Sequence, residues 1–476
     1  MMVAGPLLEA IGAPALAALL ALCFAAVVAR PRYAAYLFLL TNPLIVGIAR
    51  GDFIPILRPN ELLLLVLLAA MALRTLLLML GGGYREPRFD RLDLALVLMA
   101  VTSSILPLVA LHLRGLSLTA DDVLYAIVLW KYYLLYRLFR AAIADEKQVK
   151  WCLYVSMVSA AIVAVIAILQ VQNLAGVPEF LHHHYDQPFE GHNEPSTDRG
   201  TSTVASAFGV ADLMIMNLVA ALTMLLQARR RRWLLIAATG LFLSGCVVAG
   251  EFSGYIGLVV AVVSIGCITG RLRRFLLAGG LAACVAAVLF WPVIEARLAG
   301  FESSAGIPHS WQGRVENLQR FFLPELLSGT NWLTGVRPAP RVPAPEPWRE
   351  FVYIESGYVW LLWIGGLPFL LAFVFFVGIV ARALWRVTCE RVDAIGVAAA
   401  TAFTYLMVIL VLMLVDPHLT VRGSADLFFP LLALAARPAA AGAPRRVIRG
   451  WSAEVGPRAR AIAFSNRTGA SLSAAP

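Results

Sequence analysis

The chain has 476 residues, of which 60% are hydrophobic and 14% charged, with mean hydropathy +0.78. Soluble domains run at about 45–50% apolar and about 25% charged residues, so this composition excludes an ordinary soluble enzyme and points to a polytopic membrane protein. The net charge of +10 does not indicate a nucleic-acid binder, because the basic residues sit in short loops between apolar runs and form no continuous basic stretch.

The opening MMVAGPLLEA has no basic n-region, so no cleaved signal peptide is expected. Apolar stretches follow near residues 7–29, 33–49, 61–80, 93–113, 122–143, 151–171, 203–228, 233–249, 254–270, 275–294, 356–381, 395–415 and 424–436. A spanning helix needs about 20 apolar residues, so the second and the last read as tilted or re-entrant. The pattern predicts an all-α polytopic membrane protein with about 12–13 transmembrane helices and a large, partly helical outer loop. Basic residues at Arg30/Arg32, Arg74 to Arg91, Arg137 to Lys150, Arg229 to Arg232, Arg271 to Arg274, Arg382 to Arg391 and from Arg437 onward alternate onto one side. The positive-inside bias assigns that side to the cytoplasm, and loops 172–202 and 295–355 then face outward. Residues 1–437 read as one transmembrane domain. Residues 438–476, rich in Ala, Gly, Pro, Ser and Arg, read as a disordered basic cytoplasmic tail beside anionic lipid.

The six cysteines lie in or beside apolar segments with no CxxC pair, so neither a disulfide framework nor a thiolate metal site is expected. There is no P-loop and no HExxH; Gly81–Gly83 reads as a turn. His182, His183, His184 and His192, with Asp186, Glu190, Glu194 and Asp198, make one outer loop polar. Three adjacent histidines cannot all face one ion, so that loop reads as polar rather than metal-binding. Lys131, deep in the span 122–143 among Trp130, Tyr132, Tyr133 and Tyr136, is either functional or paired with an acid on a neighbouring helix. Arg137 and Arg140 read as interface snorkellers. Glu61 and Glu251 start helices, where the dipole favours a carboxylate; Glu251 also faces outward in a tight turn.

The longest polar interval, from Glu295 to Gly357, holds the strongest site signals. Ser310 is placed to cap a short helix on which Trp311, Val315, Leu318 and Phe322 share a face, the spacing of a helix lying along an apolar surface, with Pro324 limiting it. Arg314, Arg337, Glu355, Asp416 and Arg422 come from three chain regions yet fall at one predicted outer level, together with Arg199, which precedes a helix expected to start near Thr203. Dipole capping explains Glu355 at a helix start but does not favour Asp416 at a helix end; their shared level, with Arg199, points to a phosphate-and-carboxylate site.

Over residues 190–435 the arrangement resembles the O-antigen ligase/O-antigen polymerase superfamily of bacterial membrane glycosyltransferases. The resemblance is carried by Asp198-Arg199-Gly200, the outward turn Gly250–Gly254, Gly313-Arg314, Gly335-Val336-Arg337, Glu355-Ser356-Gly357-Tyr358 leading into LLWIGGLPFLL, and Asp416 with Arg422. It implies an undecaprenyl-diphosphate-linked glycan as donor at the outer leaflet of the cytoplasmic membrane, metal-independent catalysis with no cofactor, and partners in polysaccharide export or chain-length control. Arg199 and Arg314 match arginine positions of the ligases, and Asp416 and Arg422 the acid–base pair after the penultimate helix. Ligases typically carry a histidine where Glu355 stands and an arginine in the turn read here as Glu251-Phe252-Ser253, which moves the reading toward the polymerases.

The chemistry expected is attack of an acceptor hydroxyl on an anomeric carbon with departure of a lipid diphosphate. Arg199, Arg314, Arg337 and Arg422 are the candidate cations for the leaving charge, and Glu355, then Asp416, the candidate base. Trp311, Trp332, Trp348, Tyr353 and Tyr358 are candidates to stack on sugar rings or to form an interfacial aromatic belt. A secondary transporter and a ligase acting on lipid or protein are the competing readings.

Overall fold

A computed structural model describes residues 12–50, 57–83, 89–185, 197–227, 232–299, 309–345 and 350–436. The described chain is almost wholly helical, with one two-stranded antiparallel sheet. Helices α1 (Ala13–Ala29), α2 (Arg32–Ile45), α3 (Pro59–Leu80), α4 (Arg91–Ser103) with its continuation α5 (Ile105–Leu113), α6 (Ala120–Ala126), α7 (Val128–Ala142) and α8 (Glu146–Val171) make up the first half. After the short α9 (Val177–His184) come α10 (Ala207–Gln227), α11 (Arg232–Val248), α12 (Phe252–Thr269), α13 (Leu272–Leu289) and α14 (Trp291–Ala299). The large loop contains α15 (His309–Asn317), α16 (Leu323–Leu326), α17 (Asn331–Thr334) and strands β1 (Arg341–Pro343) and β2 (Phe351–Tyr353). Helices α18 (Gly357–Glu390), α19 (Ala394–Leu412) and α20 (Ala425–Ala435) close the bundle.

Eight segments among the described residues are long and apolar enough to cross a membrane, the α4–α5 run Arg91–Leu113 counting as one. Their outer faces carry bare aliphatic side chains, such as Leu80, Leu281 and Val288, which only lipid can accommodate at this density. The chain is an all-α polytopic membrane protein. Every apolar stretch read from the sequence contains a helix, but several are too short to span alone. Helix α2 has 14 residues with Pro43 inside, and α20 has 11, buried throughout. The stretch 122–143 breaks at Ile127 into α6 and α7.

The core is α10 and α19, 83% and 78% buried over their apolar windows, against 6% for the peripheral α13. Lipid is as apolar as leucine, so close backbone approach and not hydrophobicity selects these contacts. Small residues allow it. A Cβ on Gly254 would lie 2.7 Å from Ala211 Cβ, and one on Gly257 3.1 Å from Val408 and Leu412.

At one end of the bundle, Arg137 Nη1 donates to Asp93 Oδ1 at 2.8 Å, and Arg140 Nη1 donates to Asp90 Oδ2 at 2.5 Å and to Tyr136 Oη at 2.9 Å. These arginines are therefore paired across helices, which corrects the snorkelling expectation; Asp93, fully buried, requires a cation. Lys131 Nζ lies 3.9 Å from Asp426 Oδ1 and 4.5 Å from the Tyr132 ring centre, so of its two readings the structure shows the pairing with an acid on another helix. Glu61 caps α3, its Oε2 accepting from Arg58 N at 3.0 Å.

The other end carries the large loop, docked on a break in α18. Gly366 has φ 62° and ψ −157°, and with Pro368 it interrupts the helical hydrogen bonding. The freed Trp363 carbonyl accepts from Val336 N at 2.6 Å. A Cβ on Gly335 would meet Ile364 O at 2.3 Å, so the loop seats against the break only through glycine. Asp122 completes the clasp by accepting from Arg337 Nε at 3.0 Å and Nη2 at 2.6 Å. Arg341 pairs with Asp121 and lies 3.8 Å from the Phe351 ring centre. Arg114 Nη2 donates to the Val336 carbonyl at 2.7 Å.

Candidate functional site

Arg314, on the loop helix α15, bridges two carboxylates from different chain regions. Its Nη1 stands 3.0 Å from Asp416 Oδ2 and its Nε 3.6 Å from Glu355 Oε1. Asn317, one turn on, donates from Nδ2 to Glu355 Oε2 at 3.4 Å. The two carboxylates meet because the start of α18 abuts the end of α19: Gly357 N donates to Met413 O at 2.8 Å. A Cβ on Gly357 would fall 2.3 Å from Met413 Sδ and 3.0 Å from Asp416 O, so glycine is needed for the approach. Asp416 follows the carbonyl end of α19, where the helix dipole opposes a carboxylate, and Arg314 offsets that penalty.

A second arginine–carboxylate pair joins two further chain segments. Arg199 Nη1 donates to Glu251 Oε1 at 2.9 Å. Glu251 is the N-cap residue of α12, after a turn closed by Gly250 at φ 64°. Arg199 is anchored by the residue after it, where Gly200 N donates to Val248 O at 2.9 Å. The segment beyond is buried and tied on all sides. Ser202 N donates to Gln170 Oε1 at 2.8 Å, Ser202 Oγ to Val163 O at 2.9 Å, and Thr203 Oγ1 to Pro43 O at 2.8 Å. This segment is a 3₁₀ turn with Ser202 and Ala205 at positive φ, and α10 proper starts only at Ala207. The helix expected to start near Thr203 begins there only as a 3₁₀ turn, and its α-helical part starts four residues later, so backbone and side-chain hydrogen bonds and not an α-helix N-terminus anchor the segment after Arg199.

The electrostatics join the two pairs. Burial pushes the Asp416 carboxyl above its ordinary pKa, Arg314 and His418 pull it down, and Glu251 and Asp212 push it up; the net direction is upward. Glu251 therefore acts on Asp416, placing Arg199–Glu251 within electrostatic range of Arg314–Asp416.

Directly behind Asp416 lies a pair absent from the sequence reading. His418 Nδ1 is 2.8 Å from Asp212 Oδ2, with side chains 1% and 0% exposed. The backbone N of His418 donates to Asp416 O at 2.8 Å, fixing the imidazole behind the cluster. Burial alone would lower the His418 pKa; the Asp212 carboxylate outweighs it, with Asp416 adding and Arg314 opposing, and the pKa is raised. His418 Nε2 is buried without a hydrogen-bond partner among the described residues, and the Tyr405 hydroxyl lies beside Asp212 and Ser424. The signal was present in the sequence: an acid inside the apolar run of α10 is rare enough to single out.

The other sequence candidates fall elsewhere. Arg337 belongs to the loop clasp with Asp122, not to the Arg314 cluster. Arg422 does not pair with Asp416; its electrostatic neighbours are Tyr125 and Tyr132, and its Nη1 is buried without a partner among the described residues. Tyr358 Oη donates to Leu410 O at 2.8 Å, so its hydroxyl holds α18 to α19 and does not face a sugar. Tyr353 Oη accepts from Arg341 Nη1 at 3.2 Å. Trp311 is half-buried on the helix that bears Arg314, and Trp332 is exposed. Trp348 and the Ser310 side chain lie outside what the structure describes, as do Asp186, Glu190, His192 and Glu194.

The expected stripe on α15 is also shifted. Residues Leu318–Phe322 form a π-helical turn, so Phe322 is buried while Val315 is exposed. Pro324 is the second residue of α16, in the first turn of a helix, where the hydrogen bond that proline cannot donate is not required. Among the described residues no His, Cys, Asp and Glu group is placed to hold a metal ion.

A cavity of about 420 Å³ lined by Arg32, Tyr33, Tyr36, Asp145, Lys147, Gln148 and Trp151 lies at the N-terminal ends of α2 and α8. The C-terminal ends of those helices approach the 200–203 segment, so this cavity is at the opposite end of the bundle and takes no part in the cluster. No protein-family model matches the chain, and no curated protein matches it in sequence.

Proposed function

We propose that the chain is a membrane glycosyltransferase that polymerises or transfers undecaprenyl-diphosphate-linked glycan at the outer leaflet of a bacterial cytoplasmic membrane, without a metal. The observation that carries this reading is Arg314, ion-paired with both Asp416 and Glu355, with Glu251 of the Arg199–Glu251 pair acting electrostatically on Asp416. A diphosphate leaving group needs cations, and a hydroxyl nucleophile needs a base. Both are supplied within one cluster.

In the reaction the acceptor oxygen forms a bond to the anomeric carbon while the carbon–oxygen bond to diphosphate breaks. Its electron pair stays on the diphosphate, beside Arg314 and Arg199, and the hydroxyl proton passes to Asp416 or Glu355. The resting ion pairs give this sequence an internal order. When a diphosphate takes Arg314, Asp416 loses the cation that lowers its pKa and becomes a stronger base as the leaving group arrives.

A secondary transporter is the second reading, favoured by buried charges at Asp212–His418 and Lys131–Asp426. Purified protein supplied with lipid-linked oligosaccharide, extracted from cells lacking it, separates the two. Longer glycan that forms with chelator present supports the transferase. Solute uptake into vesicles without any new glycosidic product removes it.

A further inference from the structure

The cluster has an unfavourable charge for an anion. Arg199 and Arg314 bring two positive charges, while Glu251, Glu355, Asp416 and Asp212 bring four carboxylates. A diphosphate entering with every carboxylate ionised would add negative charge to a site already in negative excess, partly shielded from water. Binding is then favourable only if the protein gains a proton at the same time.

We propose that the buried His418–Asp212 pair takes up the proton that accompanies a diphosphate into the cluster, so that ligand binding and protonation are linked. The inference rests on the diphosphate reading of the site. Asp212, on α10, faces His418 Nδ1, which leaves Nε2 and its electron pair as the atom that gains the proton. The groups around the imidazole favour this. Asp416 on its own loop and Asp212 attract the proton, Arg314 on α15 opposes it, and Phe208 on α10 contributes a ring at 6.1 Å with no charge. Tyr405 on α19 stands with its hydroxyl beside Asp212 and Ser424.

A diphosphate that draws Arg314 toward itself weakens a cation that opposes His418 protonation. It also adds a negative charge nearby. Both changes act in the same direction, so occupancy of the site raises the proton affinity of His418, and by reciprocity protonation raises the affinity for diphosphate. His418 thereby acts as a positioning residue, through charge, on a ligand it does not touch.

The test is calorimetric titration of the full chain, in zwitterionic lipid nanodiscs, with farnesyl diphosphate. It is run in buffers of different ionisation enthalpy, at a pH where the probe is fully ionised. The slope of observed heat against buffer enthalpy counts the protons taken up. The expected result is uptake approaching one proton per diphosphate, with affinity falling about tenfold per pH unit where that proton is fully linked. His418→Asn, whose Nδ2 replaces Nδ1 as the partner of Asp212, is expected to bind more weakly and with the uptake lost.

Binding by the unaltered protein without proton uptake overturns the inference and leaves the diphosphate reading intact, and that measurement needs no variant. Undiminished uptake in His418→Asn also overturns it, by assigning the proton to another group such as Asp416. No binding of farnesyl diphosphate by the unaltered protein refutes the diphosphate reading and this inference with it.

Discussion

Replacing Arg314 by alanine removes one guanidinium that touches two carboxylates, and the structure separates the consequences. The Arg314 side chain is 21% exposed and Asp416 14%, intermediate between a surface pair and a fully buried one. Exposed pairs contribute about 0–1 kcal/mol and buried charges left alone cost about 3–5 kcal/mol, so a stability loss of about 1–3 kcal/mol is expected. Loss of a group that stabilises developing charge costs about 10²–10³ in turnover, roughly 3–4 kcal/mol of transition-state binding.

The assay is glycan extension from extracted lipid-linked donor by protein in nanodiscs, with thermal unfolding measured on the same sample. Arg314→Ala is expected to remain folded and to lose at least a hundredfold in rate. In Arg314→Ala/Asp416→Asn, removing the stranded charge is expected to recover stability but not activity. Wild-type chain extension by a folded Arg314→Ala protein would refute the role of this arginine, and stability unchanged in both variants would refute the ion pair.

Glu251→Gln, which releases Arg199 from its partner, is expected to tighten farnesyl diphosphate binding a few-fold, while Arg199→Gln weakens it; the opposite order would show that Arg199 does not meet the ligand. Arg337→Ala strands the fully buried Asp122 and is expected to cost about 3–5 kcal/mol in stability, restored in part by Asp122→Asn, with residual activity per folded molecule unchanged. A selective loss of turnover would return Arg337 to the candidate site.

The pH dependence has a definite sign. The folded-state pKa of His418 lies above its unfolded value, so its pairing with Asp212 contributes fully below about pH 6.5, and the contribution fades as pH rises through the folded pKa. Thermal unfolding of wild type is expected to weaken over that rise, while His418→Asn flattens the profile. A wild-type profile that strengthens over the same range would contradict the raised pKa.

The membrane fold was legible because long apolar runs with short basic loops have few alternative solutions in lipid. How deeply each helix is buried was not. Residues 33–49 and 424–436 have the hydropathy of spans, yet their helices are short and packed inside the bundle, which depends on neighbours and not on local pattern.

The site was legible as a level. Arg314, Glu355 and Asp416 converge because three loops end on one side of the bundle, and topology alone supplies that. The same reasoning misassigned Arg337, whose partner Asp122 lies 215 residues away with no local pattern to mark it. Tyr358 was misassigned for a related reason, since its hydroxyl is consumed by a carbonyl on another helix. Asp212 was the readable omission, a carboxylate in an otherwise apolar run, and His418 became visible only through its contact with it.

The central claim is that Arg199 and Arg314 together hold a diphosphate. Solid-state NMR on protein labelled with ¹⁵N at arginine, in nanodiscs with farnesyl diphosphate, measures phosphorus–nitrogen proximity directly. The account predicts two arginine signals in hydrogen-bond contact with phosphorus, one vanishing in Arg199→Gln and the other in Arg314→Gln. Contact with neither arginine, or signals that persist unchanged in both variants, would contradict it.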